Sequence, residues 1–194
     1  MSTYQLILAS ASPRRRELLD QIGLSYQIRP ADIDETPRPD EPPQDYVTRL
    51  AREKAQAARA ETRESLPILG ADTAVVLDGE VLGKPRHETE GLNHLRRISG
   101  KRHEVLSAVC LNLTDPPRIL EALNISRVHF RQLTEDEIIA YWRSGEPRDK
   151  AGAYAIQGQG AIFAERLEGS FSGVMGLPLY ETAGLLRKAG IQVL

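Results

Sequence analysis

Apolar positions along this chain change period repeatedly, and each change marks an element. Leu6-Ile7-Leu8-Ala9 is a short apolar run that predicts a buried strand. Leu18, Leu19 and Ile22 then share one face of a helix over 13–21, with Pro13 in its first turn, Ser12 as N-cap through its hydroxyl, and Gly23 closing it. Residues 25–29 alternate as a strand. Tyr46, Val47, Leu50, Ala51, Ala55 and Ala58 recur at helical spacing and predict a long helix over 44–60. Residues 67–77 are β-rich on both sides of Asp72, so Asp72 and Thr73 are expected to interrupt a buried strand. Asp78-Gly79 is a hairpin turn signal.

The second half continues the alternation. Leu92, Leu95 and Ile98 define a helix over 88–99 closed by Gly100, and two alternating strands over 105–113 and 119–130 form an antiparallel pair. Thr134-Glu135-Asp136-Glu137 reads as a capping box that opens a helix carrying Ile138, Ile139, Tyr141 and Trp142. Residues 161–168 predict a strand, 170–175 a loop, 179–188 a helix, and 191–194 a terminal apolar tail. The pattern is a mixed α/β architecture. Without an internal repeat or a long linker, the expectation is a single domain over 1–194.

Composition narrows the picture. The chain has 194 residues, 41% hydrophobic and 27% charged, the proportions of an ordinary globule with a core of real size. A formal net charge of −2 argues against a dedicated nucleic-acid binder. No apolar run is long enough for a membrane helix, and the first residues lack the features of a secretory signal. Cys110 is the only cysteine, which excludes an intrachain disulfide and a cysteine metal cluster. These features lead to the expectation of a cytoplasmic protein with no membrane partner.

The candidate chemistry lies between the elements. Ser10, Ser12, Arg14 and Arg15 crowd the start of the first helix, where free N–H groups and the helix dipole favour an anion. Arginine grips two phosphate oxygens at once. The stretch has neither the Gly-Lys-Ser/Thr of a Walker A loop nor a GxGxxG fingerprint, so a solvated basic face is the alternative. The loop over 30–43 carries Asp32, Asp34, Glu35, Asp40 and Glu41. Most can be solvated, while one or two could ligate an oxygen-loving divalent ion. Lys54 falls on the inward stripe of its helix and either snorkels outward or points into a cleft. Asp72 sits in apolar surroundings, where a carboxylate is costly unless paired or bound to metal; the alternative is a turn or cap. Lys84, between Gly83 and Pro85, is a second phosphate cation or a loop lysine. The Gly- and Ala-rich stretch over 149–160 reads as an ordered binding loop. The four histidines are scattered and suit neither a metal site nor a Ser-His-Asp triad.

Five motifs in order, Leu8-Ala9-Ser10-Ala11-Ser12-Pro13-Arg14-Arg15, Arg49-Leu50-Ala51-Arg52-Glu53-Lys54-Ala55, Gly70-Ala71-Asp72-Thr73, Gly83-Lys84-Pro85 and Lys150-Ala151-Gly152-Ala153-Tyr154 through Gln157-Gly158, resemble the Maf family of nucleoside triphosphate pyrophosphatases. The resemblance implies an α/β (mixed α+β) fold similar to inosine triphosphate pyrophosphatases: an elongated mixed sheet flanked by helices, in two lobes with a cleft. It implies a cytoplasmic homodimer that needs a divalent cation (Mg²⁺, Mn²⁺ or Co²⁺) and cleaves a nucleoside triphosphate to the monophosphate and pyrophosphate. Asp72 matches the proton acceptor for the attacking water. Ser10, Arg15, Glu35, Lys54 and Lys84 match positions around phosphate and metal, with Glu35 and Asp72 as metal ligands. Arg14, Thr73 and Gln157 match positions that separate subfamilies. Ser-Pro-Arg and Ile-Gln-Gly resemble the dTTP/UTP subfamily; the 7-methyl-GTP subfamily has an aromatic in place of Arg14 and Glu in place of Gln157. The alternative function is a nucleotide-binding regulator of cell division, linked to septum formation, without significant catalysis.

Overall fold

A computed structural model of the chain describes residues 4–193. Strand β1 (Leu6–Leu8) leads into helix α1 (Pro13–Gln21), and β2 (Tyr26–Ile28) returns beside β1. Helix α2 (Pro43–Ala60) precedes β3 (Ile68–Leu77) and the short β4 (Glu80–Leu82). Then come α3 (Glu88–Ile98), β5 (Arg102–Thr114), β6 (Pro117–Phe130) and α4 (Glu135–Arg143). Three 3-10 turns (Glu146–Asp149, Ala151–Ala153, Gln159–Phe163), β7 (Ala164–Glu168), α5 (Phe171–Met175) and α6 (Leu179–Lys188) complete the chain.

Among the described residues, one seven-stranded mixed sheet runs in the order β2-β1-β3-β5-β6-β7, with β4 paired to β3. β1 is parallel to β2 and β3, and every other pair is antiparallel. Alternation along the strands splits the first lobe's core between two faces. Leu8, Leu69, Ala71 and Leu111 pack on α1 and α6 through Leu18, Leu19, Leu185 and Leu186. Ile7, Ile68, Ala108 and Cys110 face α2 through Val47, Ala51, Ala55 and Ala58. Cys110 is fully buried, and burial pushes its thiol up to about 12, as expected of an inert cysteine. A second lobe closes around Val75, Leu82, Leu95, Phe130, Tyr141, Tyr154 and Phe163. β3, β5 and β6 run through both lobes and hold them in register.

Most predicted elements form within a few residues of their expected ends. The Asp78-Gly79 turn has both residues at positive φ (52° and 83°), and Thr134 and Glu137 form the reciprocal capping box. Four expectations need correction. Asp72 and Thr73 do not interrupt a strand, because β3 is continuous over ten residues and its backbone pairs with β5 through both positions. Residues 161–163 belong to a 3-10 turn rather than to the strand that follows. Residues 170–175 are not a loop: Ser170 caps α5 by accepting a bond from the Gly173 N–H. Ser12 occupies the N-cap of α1, but its hydroxyl makes no cap bond. Of the C-terminal tail, Ile191 and Val193 pack on the α6 side of the sheet, while Leu194 lies outside the described residues.

Candidate active site

The register of β3 creates the site. β1 pairs with β3 only at Ile68 and Leu69, and the last residue of β4, Leu82, lies opposite Val75. Between those points one edge of β3 has no strand partner among the described residues, and Asp72 stands in the middle of the gap. A cavity of about 900 Å³ opens there between the lobes. Its lining includes Ser10, Arg14, Arg15, Glu35, Lys54, Asp72, Thr73, Lys84 and Gln157. All nine residues that the family resemblance assigned to the site therefore reach one cavity, although they lie as far apart as 10 and 157 in the chain; of the other loop acids Asp34 also lines it, while Asp32, Asp40 and Glu41 do not.

Neighbouring strand residues point to opposite faces, so Asp72 and Thr73 diverge. Asp72 turns toward α2. There Lys54 Nζ donates to Asp72 Oδ1 at 2.7 Å and lies 2.6 Å from Glu35 Oε1. Lys54 and Asp72 are each 7% exposed, so Lys54 does not snorkel away but points into the cleft. The helix can approach this closely because position 70 is glycine: a Cβ there would sit 2.2 Å from the Ala51 carbonyl oxygen. Burial raises the Asp72 carboxyl above its ordinary value, against the pull of Lys54 and Arg15. For Glu35, burial also pushes upward, but Lys54, Lys84 and Arg15 together outweigh it and hold the carboxyl low. The loop that carries Glu35 is pinned to α2: Tyr46 Oη donates to the Glu35 carbonyl, and Arg49 grips Glu41 through two bonds of 2.6 and 2.7 Å.

On the other face, Thr73 Oγ1 lies 2.8 Å from Ser107 Oγ, which donates to the Gly173 carbonyl. Arg15 Nε donates to the Gly176 carbonyl at 2.9 Å, and Arg15 Nη1 donates to Ser10 Oγ at 3.1 Å. Ser10 Oγ also accepts the Ser12 N–H, and that bond shapes the turn in place of the expected Ser12 cap. Burial presses the Arg15 guanidinium below its usual value, with Asp72 opposing. An arginine remains cationic even so. Arg14 reaches across the cleft to within 4.0 Å of Asp149 Oδ2. Lys84 and Gln157 are exposed at the cavity and make no hydrogen bond or ion pair with the described residues, so both are free to meet a ligand.

The arrangement places a buried carboxylate of raised proton affinity among cations suited to phosphate oxygens. The family model described as Maf-like protein matches residues 5–189. This chain belongs to the Maf family. It is 56% identical over 188 residues to a dTTP/UTP pyrophosphatase of Anaeromyxobacter dehalogenans (strain 2CP-1), covering 96% of this chain and 94% of that protein. It is 52% identical over 187 residues to a dTTP/UTP pyrophosphatase of Methylococcus capsulatus (strain Bath), covering 96% and 92%. A protein of the same name from Escherichia coli O6:K15:H31 is 52% identical over 181 residues, covering 93% and 91%. A solved nucleoside-triphosphatase / dITP/XTP pyrophosphatase from Mycobacterium abscessus superposes with a TM-score of 0.39 at 14% identity, over 64% of this chain and 72% of that one.

The donor set of this Maf-family chain bears on the expected metal. Among the described residues, no three His, Cys, Asp or Glu side chains group closely enough to hold an ion alone. Glu35 and Asp72 do converge, both drawn to Lys54. Two hard oxygen donors fit an ion such as Mg²⁺, which takes one or two carboxylates and completes its shell with phosphates and water. The set therefore suits a cation that arrives with a triphosphate.

The structure also brings in residues that the sequence reading did not single out. Tyr46 and Asp149 line the cavity, and Lys150, noted only as the start of a motif, lines it beside them and donates to Asp149. Glu146 holds the loop behind Gln157. No local pattern marks these roles, because each depends on contacts between segments distant in sequence.

Proposed function

We propose that this chain hydrolyses dTTP and UTP between the α- and β-phosphates, releasing the nucleoside monophosphate and pyrophosphate. The observation that carries this reading is the buried Asp72, its proton affinity raised, in one cavity with Arg15, Lys54 and Lys84. Asp72 takes the proton as the water oxygen bonds to the α-phosphorus and the bond to the bridging oxygen breaks. The leaving pyrophosphate carries off the electron pair, and the three cations meet the charge that builds on it. Lys54, held between Glu35 and Asp72, fixes the direction of both carboxylates. Glu35 and Asp72 would hold a divalent cation (Mg²⁺, Mn²⁺ or Co²⁺), which would add positive charge beside the phosphates.

Base choice falls to the other side of the cleft. Gln157 offers an amide N–H and a carbonyl to the mixed donor–acceptor edge of uracil or thymine, and Arg14 offers donors or a flat face. The relatives named dTTP/UTP pyrophosphatases support the same substrates. The reading extends to a homodimer acting in the cytoplasm. Among the described residues no helix is long and apolar enough to cross a membrane.

The test is pyrophosphate release across a panel of nucleoside triphosphates with Mg²⁺, Mn²⁺ or Co²⁺. Preferred turnover of dTTP and UTP is expected. Tight nucleotide binding without pyrophosphate release under any of these ions would favour a nucleotide-binding regulator and overturn the enzymatic reading.

A further inference from the structure

Gln157 stands on a short strap between two 3-10 turns, and its own exposed side chain makes no hydrogen bond or ion pair with the described residues. Its aim therefore depends on the backbone on either side. Both sides are tied to one carboxylate. Upstream, the Ala155 N–H donates to Tyr141 Oη at 3.0 Å, and Tyr141 Oη donates to Glu146 Oε1 at 2.7 Å. Downstream, the Gln159 N–H donates to Glu146 Oε2 at 2.9 Å and the Gly160 N–H to Glu146 Oε1 at 3.1 Å. The four bonds close a ring with Gln157 at its apex.

The packing leaves no slack in this ring. A Cβ at position 158 would lie 2.2 Å from Glu146 Oε2, and one at position 160 would lie 2.6 Å from Tyr141 Oη. Glycine at both positions lets the strap sit directly on the carboxylate and the phenol. Tyr141 is itself clamped in the second lobe's core, 4% exposed, with its ring edge-on to Phe163 at 5.0 Å between centroids. Burial pushes the Glu146 carboxyl upward, but the bonds it accepts outweigh this and keep it in the charged form that backbone donors need.

We propose that Glu146, with Tyr141 behind it, is a positioning residue for base selection: it sets the direction of Gln157 without touching substrate. This rests on the reading that Gln157 meets the base. An amide that separates two pyrimidines must present its N–H and its oxygen in a fixed order, and a displacement of about 1 Å is enough to lose much of a directed contact.

The measurement is kcat/KM for UTP and CTP, with the Ki of inorganic tripolyphosphate beside it. Cytosine carries an amino donor where uracil carries a carbonyl, so the UTP-to-CTP ratio reports edge recognition alone. Glu146→Gln keeps the shape but turns an NH₂ group toward backbone N–H donors. The ratio is expected to fall about tenfold, chiefly through a higher KM for UTP, while tripolyphosphate inhibits as before. An unchanged ratio in the folded variant overturns the proposal, as does an equal loss for UTP, CTP and tripolyphosphate. If Glu146→Gln does not fold, Tyr141→Phe is read in the same way, since it removes the hydroxyl shared by Glu146 and Ala155. Gln157→Ala separates the two layers. If it lowers the ratio and the Glu146 and Tyr141 variants do not, positioning fails alone. If Gln157→Ala leaves the ratio unchanged, the base-reading role fails and the positioning role with it.

Discussion

Replacing Asp72 by Asn changes one atom type at the centre of the gap along β3. The amide fills the same space, so β3 and its pairing with β5 are kept. Lys54 retains Glu35 at 2.6 Å and is not left as an unpaired buried charge. Asn cannot take the proton of the attacking water. Loss of a general base lowers turnover by about 10²- to 10⁴-fold. That corresponds to about 3–5 kcal/mol of transition-state stabilisation.

The pH profile gives an independent reading of the same group. Burial raises Asp72 above the ordinary value of 3.8, and the base acts only when ionised. Wild-type kcat/KM should therefore rise with pH along an acid limb displaced above that value. The linkage to stability has its own sign. A carboxyl with a raised folded-state pKa favours the fold at low pH, and that contribution is lost as pH rises through the folded value. Asp72→Asn removes this dependence. At neutral pH it relieves a buried anion while taking one partner from Lys54, so the two effects oppose and the variant should stay folded. The assay is pyrophosphate release on wild type and variant from pH 4 to pH 9, with thermal melts as the folding control. Near-normal turnover in a folded variant, or a wild-type acid limb at the ordinary carboxylate value, would refute Asp72 as the base.

Lys54→Ala and Lys84→Ala should each slow turnover of every nucleoside triphosphate alike, because phosphate charge is common to all; steady-state kinetics on dTTP, UTP and CTP check this, and a base-selective loss would contradict it. Gly70→Ala drives a methyl group into the Ala51 carbonyl and should destabilise by about 1–3 kcal/mol, with a loss of activity as α2 and Lys54 shift; urea unfolding and kcat read the two effects. Burial lowers His103 to about 4 from its ordinary 6.5, so the unfolded chain takes up this proton first as pH falls. Stability should drop by about 3 kcal/mol from this group between those two pH values. His103→Gln, which can still bond Tyr154 Oη, should flatten the fall in urea melts at pH 7 and pH 4.5; identical slopes in the two proteins would refute the assignment.

Local chemistry wrote much of this fold plainly into the chain. Hydrophobic period separated strands from helices because the helix repeats every 3.6 residues and the strand every two, whatever the surroundings. Asp78-Gly79 fixed a hairpin by its own backbone freedom, and Thr134 with Glu137 fixed a helix start by satisfying each other's backbone donors. The sequence also pointed to Lys54 and Asp72, because charge in an apolar pattern needs a reason, and to Ser10, Arg14 and Arg15, because they crowd a helix start that favours an anion.

Other features belong to the tertiary structure. Asp72 looked like a break in a strand, since a carboxylate is costly in an apolar run. The strand continues because β5 pairs across it and Lys54, eighteen positions earlier in the chain, brings the balancing charge. Ser12 looked like the cap of α1, but Ser10 and Arg15 take over the turn once Gly176 arrives from the far end of the chain. Segment 170–175 has too little pattern of its own to announce a helix, and α5 forms where the Ser170 cap and contacts with Asn124, Ser126 and Ser107 support it. The ring of Tyr141, Glu146 and the 155–160 strap has no trace in local pattern, because each partner is an ordinary residue until the second lobe folds. The chain alone determined which segments are helix or strand and which residue types carry the chemistry. The tertiary structure decided which charges meet, because pairing depends on distance in space, and the register of β1 and β4 along β3 sets that distance.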